Sequence, residues 1–242
     1  FYYQDKYNFI FASEIKSILA HSGVISSPNL KYLKDFLEVG PPEHKPDTAF
    51  ECVLRVLPAT YFEVKIDEVF DFDISSAKKY WKCEINRSNE SYNEKKMNHY
   101  AKQYKELLKS SVSLRMRSDV KVGSALSGGL DSSSIVAIMN SKLQENNKED
   151  KQYCFSSVYP SMNHHADESE FIDCMSNKFK FNSYRVEPKI ENIKKQYYKM
   201  IWHNDNPHED SAMSGWHTYM LTAEKKVKVT LDGQGADEQL GG

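Results

Sequence analysis

Apolar and polar positions alternate from the first residues. Tyr2-Tyr3, the polar run Gln4-Asp5-Lys6-Tyr7-Asn8 and then Phe9-Ile10-Phe11-Ala12 predict a β-hairpin. Ser13 stands where it can cap a short helix carrying Ile15, Ile18 and Leu19. A second helix is expected after Ser27-Pro28, with Leu30, Leu33, Phe36 and Leu37 on one face and Gly40-Pro41-Pro42 as its stop. Val53 to Val64 predicts strands interrupted at Pro58, and Tyr80-Trp81 closes the segment before an asparagine-rich linker from about Asn86 to Glu94. Met97, Tyr100, Ala101, Tyr104, Leu107 and Leu108 then recur at three and four residues, which predicts a helix facing the core rather than a partner-binding stripe.

The strongest pattern lies mid-chain. Val120 to Leu126 is alternating and partly β-branched, Ser127-Gly128-Gly129-Leu130-Asp131-Ser132-Ser133 follows, and Ile135-Val136-Ala137-Ile138-Met139 reads as a buried helix. Strand, glycine turn and helix in that order put unpaired N–H groups and a partial positive charge at one point. That point suits an anion. The serine hydroxyls add donors, and Asp131 sets a carboxylate where a metal ion could bridge it to the anion. A Ser-Gly-Gly turn alone also fits a plain strand-to-helix joint with Asp131 and the serines as caps, so the whole seven-residue run in its setting carries the reading. No lysine follows the glycines, which separates it from the G-x-x-x-x-G-K-[ST] nucleotide loop.

Further on, Gln144 to Gln152 reads as a solvated loop and Tyr153 to Tyr159 as a strand, whose carboxyl end should neighbour the first turn. Asp167-Glu168-Ser169-Glu170 before Phe171-Ile172 looks like a helix start, with a metal role as the alternative. The adjacent His164-His165 read as exposed loop residues. A helix is expected around Trp216 to Glu224. After it, Val227, Val229 and Leu231 alternate as a strand that delivers the second glycine turn, Asp232-Gly233-Gln234-Gly235-Ala236-Asp237-Glu238.

Composition narrows the class without naming the chemistry. The 242 residues suffice for one large or two small domains, with 40% hydrophobic and 27% charged residues and a net charge of −2. That balance gives no argument for nucleic acid or an acidic membrane as partner. No apolar run approaches the ~20 residues of a membrane helix and no signal-peptide pattern opens the chain, so the cytoplasm is the expected compartment. Cys52, Cys83, Cys154 and Cys174 lie far apart without a C-x-x-C pair and read as reduced thiols. A start at Phe1 and an end at Gly241-Gly242 mark an expected fragment.

The turn from Ser127 to Ser133 resembles the pyrophosphate loop of the ATP pyrophosphatases. With Arg117-Ser118-Asp119-Val120-Lys121-Val122-Gly123 and Leu126 before it, it is similar to the asparagine synthetase family. The second turn is similar to that family's Ser/Asp-Gly-x-Gly-Ala/Ser-Asp-Glu signature. Phe1-Tyr2-Tyr3, Phe11-Ala12-Ser13-Glu14-Ile15-Lys16, Leu57-Pro58 and Tyr80-Trp81 resemble the last half of its glutaminase domain. The resemblance implies an α/β chain. Residues 1–85 would be the end of an α+β Ntn-type glutamine amidotransferase domain, 86–95 a linker, and 96–242 the start of a parallel-sheet ATP-pyrophosphatase domain of the adenine nucleotide alpha hydrolase type.

It also implies a site. Leu126, Ser127, Gly128, Gly129, Leu130, Asp131, Ser132 and Ser133 would bind ATP and its pyrophosphate, with Ser156 and Ser157 on the adenine side through backbone groups. Asp232 and Gly233 would hold the nucleotide by backbone groups, and Asp131 and Asp237 would share Mg²⁺. The implied partners are ATP, aspartate and glutamine-derived ammonia, with a homodimer left open, and the implied reaction is asparagine synthesis through a β-aspartyl-AMP intermediate.

Three features depart from the family. Phe1 stands first, so the cysteine nucleophile of the glutaminase would lie upstream; none of the four cysteines inherits its role, and the chain is expected to lack glutaminase activity. Trp202 to Asp210 matches the family's Asp-Glu-Pro-Phe segment only at Asp205 and Pro207. Gln234 stands where asparagine-forming members commonly have Glu, and an amide is a poorer proton acceptor. A lactam- or peptide-ring-forming enzyme and an inactive ATP-binding relative therefore stay open. A later family lysine would lie beyond Gly242, so the fragment alone is expected to be inactive.

Overall fold

The computed structural model describes residues 1–65, 76–84, 90–145, 151–160, 167–208 and 212–240. The chain separates into two compact units, Phe1–Asn89 with Lys194–Asp210, and Glu90–Ile193 with Ser211–Gly242.

In the first unit the expected hairpin forms as β1 (Tyr2–Gln4) and β2 (Phe9–Phe11), antiparallel, with Tyr3 opposite Ile10. Asp5 closes the turn by accepting from the N–H groups of Tyr7 at 2.7 Å and Asn8 at 2.6 Å. Helix α1 (Ile15–Leu19) buries Ile15 and Ile18 against Val24 and Val53. Ser13 does not cap it. Glu14 occupies the cap position without a side-chain bond, and the Lys16 N–H donates instead to Asp205 Oδ2 at 3.1 Å, from the far end of α6 (Ile193–Asn204). A distant carboxylate thus satisfies an orphan donor of the first helical turn.

Helix α2 (Leu30–Val39) starts one residue after Pro28, at Asn29, whose side chain accepts from Tyr32 N at 3.0 Å. Its buried residue is Tyr32, and the expected face is split: Leu33 and Phe36 are half-buried while Leu30 and Leu37 are 71% and 81% exposed. Gly40, at φ +91°, ends the helix as expected. The strands expected from Val53 to Val64 shrink to β3 (Thr60–Tyr61), paired with β4 (Lys78–Lys79), while Leu54 makes isolated bridges to Tyr2 and Asp47. Pro58 lacks the N–H a ladder needs, and Ala59 sits at φ +59°, which bends the chain out of extension.

The second unit holds a four-stranded parallel sheet. Its strands are β5 (Val122–Ala125), β6 (Gln152–Ser157), β7 (Phe181–Val186) and β8 (Val229–Leu231), in the order β7-β6-β5-β8. Gly123 pairs with Tyr153 on one side and Thr230 on the other, so the carboxyl ends of β5, β6 and β8 lie side by side. Strand β7, an edge strand of half-buried and exposed residues, carries no strong sequence signal; Tyr184 on it stacks on Phe155 with ring centroids 5.6 Å apart. Helix α4 (Leu130–Glu145) packs Val136 with Leu126, Cys154, Val158 and Ile172 in the core, Ile172 coming from α5 (Ser169–Lys178). Burial pushes the Cys154 thiol up to about 12, and all four cysteines are free.

Helix α3 (Glu94–Arg115) forms where the spacing predicts, but its stripe does not face a core. Met97, Tyr100, Tyr104 and Leu107 are exposed, and Val112 is the buried residue of the helix. A three-four spacing specifies a face; it does not supply the element that covers it. Among the described residues no helix is long and apolar enough to cross a membrane.

Candidate functional site

Just beyond β5, Leu126 is buried and fastened from both sides of its peptide. Its N–H donates to Phe155 O at 2.8 Å and its carbonyl accepts from the buried Ser156 hydroxyl at 2.6 Å. The next residues turn away from the sheet. Gly128 sits at φ +102°, and a Cβ there would lie 2.9 Å from Phe171 Cβ and 3.2 Å from Glu168 O. Only glycine fits both the angle and the space.

The serines close the turn on itself. Ser127 N donates to Ser132 Oγ at 3.2 Å, the two hydroxyls are 3.0 Å apart, Gly129 N donates to Ser127 Oγ at 3.2 Å, and Ser133 Oγ donates to Gly128 O at 3.3 Å. An anion arriving here competes for these same hydrogens. Leu130 opens α4 with its side chain 88% exposed, and Asp131 lies in the first turn.

The second turn meets the first. Leu231, the last residue of β8, accepts from Ser124 Oγ at 2.7 Å, which aligns the two strand ends. Asp232 then divides its carboxylate, Oδ1 accepting from Ala125 N at 3.3 Å and Oδ2 from the Tyr219 hydroxyl at 2.7 Å. At Gly233 a Cβ would stand 2.7 Å from Ser132 N and 2.9 Å from Asp131 Cβ. The two backbones touch at these residues. Gly235, at φ +94°, leads into the short helix α8 (Ala236–Leu240), which carries Asp237 and Glu238 in its first turn.

Asp131 and Asp237 are thereby brought within hydrogen-bonding reach of each other. Burial pushes the Asp131 carboxyl above its usual range, and the charge of Asp237, a hydrogen bond to it and the charge of Glu238 push it the same way. Two acids so placed repel until a proton or a cation comes between them. Among the described residues no group of three or more His, Cys, Asp and Glu side chains could hold a metal ion. The pair fits Mg²⁺, which keeps few protein carboxylates and draws its other ligands from water and phosphate.

The structure therefore gathers Ser127, Gly128, Gly129, Asp131, Ser132, Ser133, Asp232, Gly233 and Asp237 at adjacent strand ends, with Leu126 and Ser156 beneath them. Ser157 is aimed elsewhere. Its hydroxyl pairs with Ser214 O at 3.0 Å and Thr218 Oγ1 at 2.9 Å, which seats α7 (Ala212–Glu224) on β6. Tyr219 and Ser124 escape sequence reasoning, since neither belongs to a turn or a motif; only the fold sets them against Asp232 and Leu231. Asp167 ties down the start of α5, accepting from Tyr159 N at 3.0 Å and Ser169 Oγ at 2.7 Å, which holds its carboxyl below the usual range. His164, His165, Glu209 and Asp210 lie outside the described residues.

Residues 103–242 match the family described as asparagine synthase. A Methanocaldococcus jannaschii protein provisionally named asparagine synthetase (glutamine-hydrolysing) 2 is 32% identical over all of this chain and 44% of its own length. In Bacillus subtilis, asparagine synthetase (glutamine-hydrolysing) 3 is 25% identical over all of the chain and 39% of its own length. Asparagine synthetase (glutamine-hydrolysing) 1 of the same organism is 32% identical over 96% of the chain and 34% of its own length. The chain thus spans less than half the length of these relatives.

Proposed function

The chain belongs to the asparagine synthase family, and from that premise we propose that its two glycine turns bind ATP with Mg²⁺ as part of an enzyme that activates a carboxylate for amide formation. One observation carries the reading: Gly233 rests on Asp131 and Ser132, with the Asp237 carboxylate beside that of Asp131. Two turns that merely ended strands would have no reason to crowd two acids together at a junction without side-chain bulk.

On this reading the turn from Ser127 to Ser133 holds the β and γ phosphates with N–H groups and hydroxyls. Gly233 offers backbone to the nucleoside side, as do Asp232, Ser156 and Ser157, whose own side chains are tied up inside the protein, and Leu126 supports the loop from beneath. Asp131 and Asp237 would hold Mg²⁺, which when bound neutralises the departing pyrophosphate. The substrate carboxylate, that of aspartate, attacks the α phosphorus, and the bond to the bridging oxygen breaks to release pyrophosphate and leave the acyl-adenylate. Ammonia from glutamine then attacks the acyl carbon and AMP leaves. The chain contributes position and charge, the usual main terms for such transfers. Residues 1–85 belong on this reading to the end of the glutaminase domain that supplies the ammonia. The cytoplasm is the proposed compartment, which four free cysteines support.

Gln234 favours a second reading, in which another carboxylate or a ring closure replaces aspartate and ammonia. The test is pyrophosphate release by the full-length enzyme given ATP, Mg²⁺, aspartate and ammonium. Asp131→Asn is expected to cut that release by about a hundredfold or more, the scale of removing one charge-stabilising group. Normal release from Asp131→Asn would overturn the assignment of the acid pair. Release by the wild type only with a different carboxylate would select the second reading.

A further inference from the structure

Tyr219 lies outside both turns, yet it ends on one of them. We propose that Tyr219 is a positioning residue for nucleotide binding: its hydroxyl, donating to Asp232 at 2.7 Å, keeps the Asp232-Gly233 turn docked on the loop that carries Asp131. The proposal rests on the ATP reading of the site and names what regulates its geometry.

The mechanical chain is short. Helix α7 is fixed to β6 by the Ser157 hydroxyl, which bonds Ser214 O and Thr218, the residue beside Tyr219. From that anchored helix the phenol reaches one carboxylate oxygen of Asp232, and the other oxygen takes Ala125 N, immediately before Leu126 and the phosphate loop. Asp232 therefore bridges α7 and β5, and Gly233 follows it directly. There even a Cβ has no room beside Ser132 N, so the placement of Asp232 sets how closely the two turns meet. The hydroxyl keeps its proton at all physiological pH, because burial and the Asp232 carboxylate together push it up to about 12. Tyr219 is half exposed, beside an open groove it lines with Thr222, Lys226 and Lys228, and phenylalanine, which lacks only the hydroxyl, fits in its place.

The experiment uses the full-length enzyme and two readouts. Tyr219→Phe is expected to raise the KM for ATP about tenfold with kcat within about twofold, the scale of one hydrogen bond to a charged group. Without nucleotide, amide exchange at Ala125 and residues 232–235 should quicken while β6 stays protected. Adding Tyr219→Phe to Asp232→Ala should cost little beyond Asp232→Ala alone, since the phenol's bond ends on that carboxylate. Unchanged KM in Tyr219→Phe, or a loss confined to kcat, overturns the positioning role. A wild type that binds no ATP overturns the nucleotide reading itself, and the exchange measurement still decides whether the phenol holds the turn. If Tyr219→Phe lowers Tm sharply, exchange measured well below that Tm decides: quickening confined to Ala125 and residues 232–235 supports the proposal, and quickening spread evenly through β6 as well overturns it.

Discussion

The glycines of the site do different jobs, and the difference can be read from what a single methyl group would strike. At Gly128 both the left-handed backbone and the Phe171 Cβ at 2.9 Å oppose a side chain. Gly128→Ala should therefore destabilise the protein by about 2–4 kcal/mol, summing backbone strain and overpacking. At Gly129 the backbone carries no such strain and the nearest atom to a Cβ is Ser127 Oγ, at 3.4 Å, an ordinary contact. Gly129→Ala should leave the Tm within a few degrees of wild type and still weaken ATP binding, because the methyl occupies the face where phosphate would approach. Thermal melts beside ATP titrations of the two variants separate these outcomes. Equal losses of stability would mean that Gly129 is a folding residue and not part of an anion cradle. Sequence shows that glycines are there, but both look alike in it; the distinction comes from Phe171 and Glu168, forty residues downstream.

Elements whose rule is local were legible, and those completed from a distance were not. The β1–β2 hairpin could be read because alternation and a polar turn sit within eleven residues, and Asp5 supplies the closure itself. Its carboxylate accepts from the Tyr3 hydroxyl, then from the Tyr7 and Asn8 N–H groups, and these bonds hold it at about pKa 2. The group is depressed, so its contribution to the hairpin is complete above the ordinary carboxylate range near pKa ~4 and disappears as pH falls through about 2. Amide exchange at Tyr7 and Asn8 should therefore stay slow from neutral pH down to about 3 once corrected for intrinsic rates, and Asp5→Ala should make it fast throughout. Protection that falls already near pH 4 would show that Asp5 is not the clasp. The strand ends that carry Asp131 and Asp237 were readable for the same local reason, each being a strand followed by a glycine turn. The face of α2 is legible only in part, since Tyr32 takes the core position while Leu30 and Leu37 stay exposed, and that of α3 is not, because periodicity is blind to whether a neighbour exists. The Ser13 cap failed because Asp205, 189 residues from Lys16, reached that helix end instead.

The path of the chain makes Asp205 matter to more than one helix. From the first unit the chain enters the second at Glu90, returns with Lys194–Asp210, and leaves again at Ser211, although residues 103–242 match one family throughout. The returning segment is pinned by Asp205, which accepts from the Lys16 N–H and forms an ion pair with Lys16 Nζ, both at 3.1 Å. Asp205 keeps 8% of its side-chain exposure and sits at φ +58°, a backbone that Asp and Asn tolerate better than most residues. Lys16 also donates to His203 O at 3.2 Å, so one lysine gathers the last turn of α6 and the loop after it. The contributions can be separated. Asp205→Asn keeps an acceptor and the tolerated backbone and loses the charge, for about 1 kcal/mol. Asp205→Ala loses the cap, the pair and the suitable backbone residue together, for about 2–4 kcal/mol. Denaturant unfolding of the whole chain measures both, and amide exchange at Lys16 reports whether the first turn of α1 has lost its acceptor. If Asn and Ala cost the same, the cap contributes nothing and the ion pair alone holds the segment. If neither costs anything, the return of Lys194–Asp210 is held by its apolar side chains, Met200 foremost among them at 2% exposure.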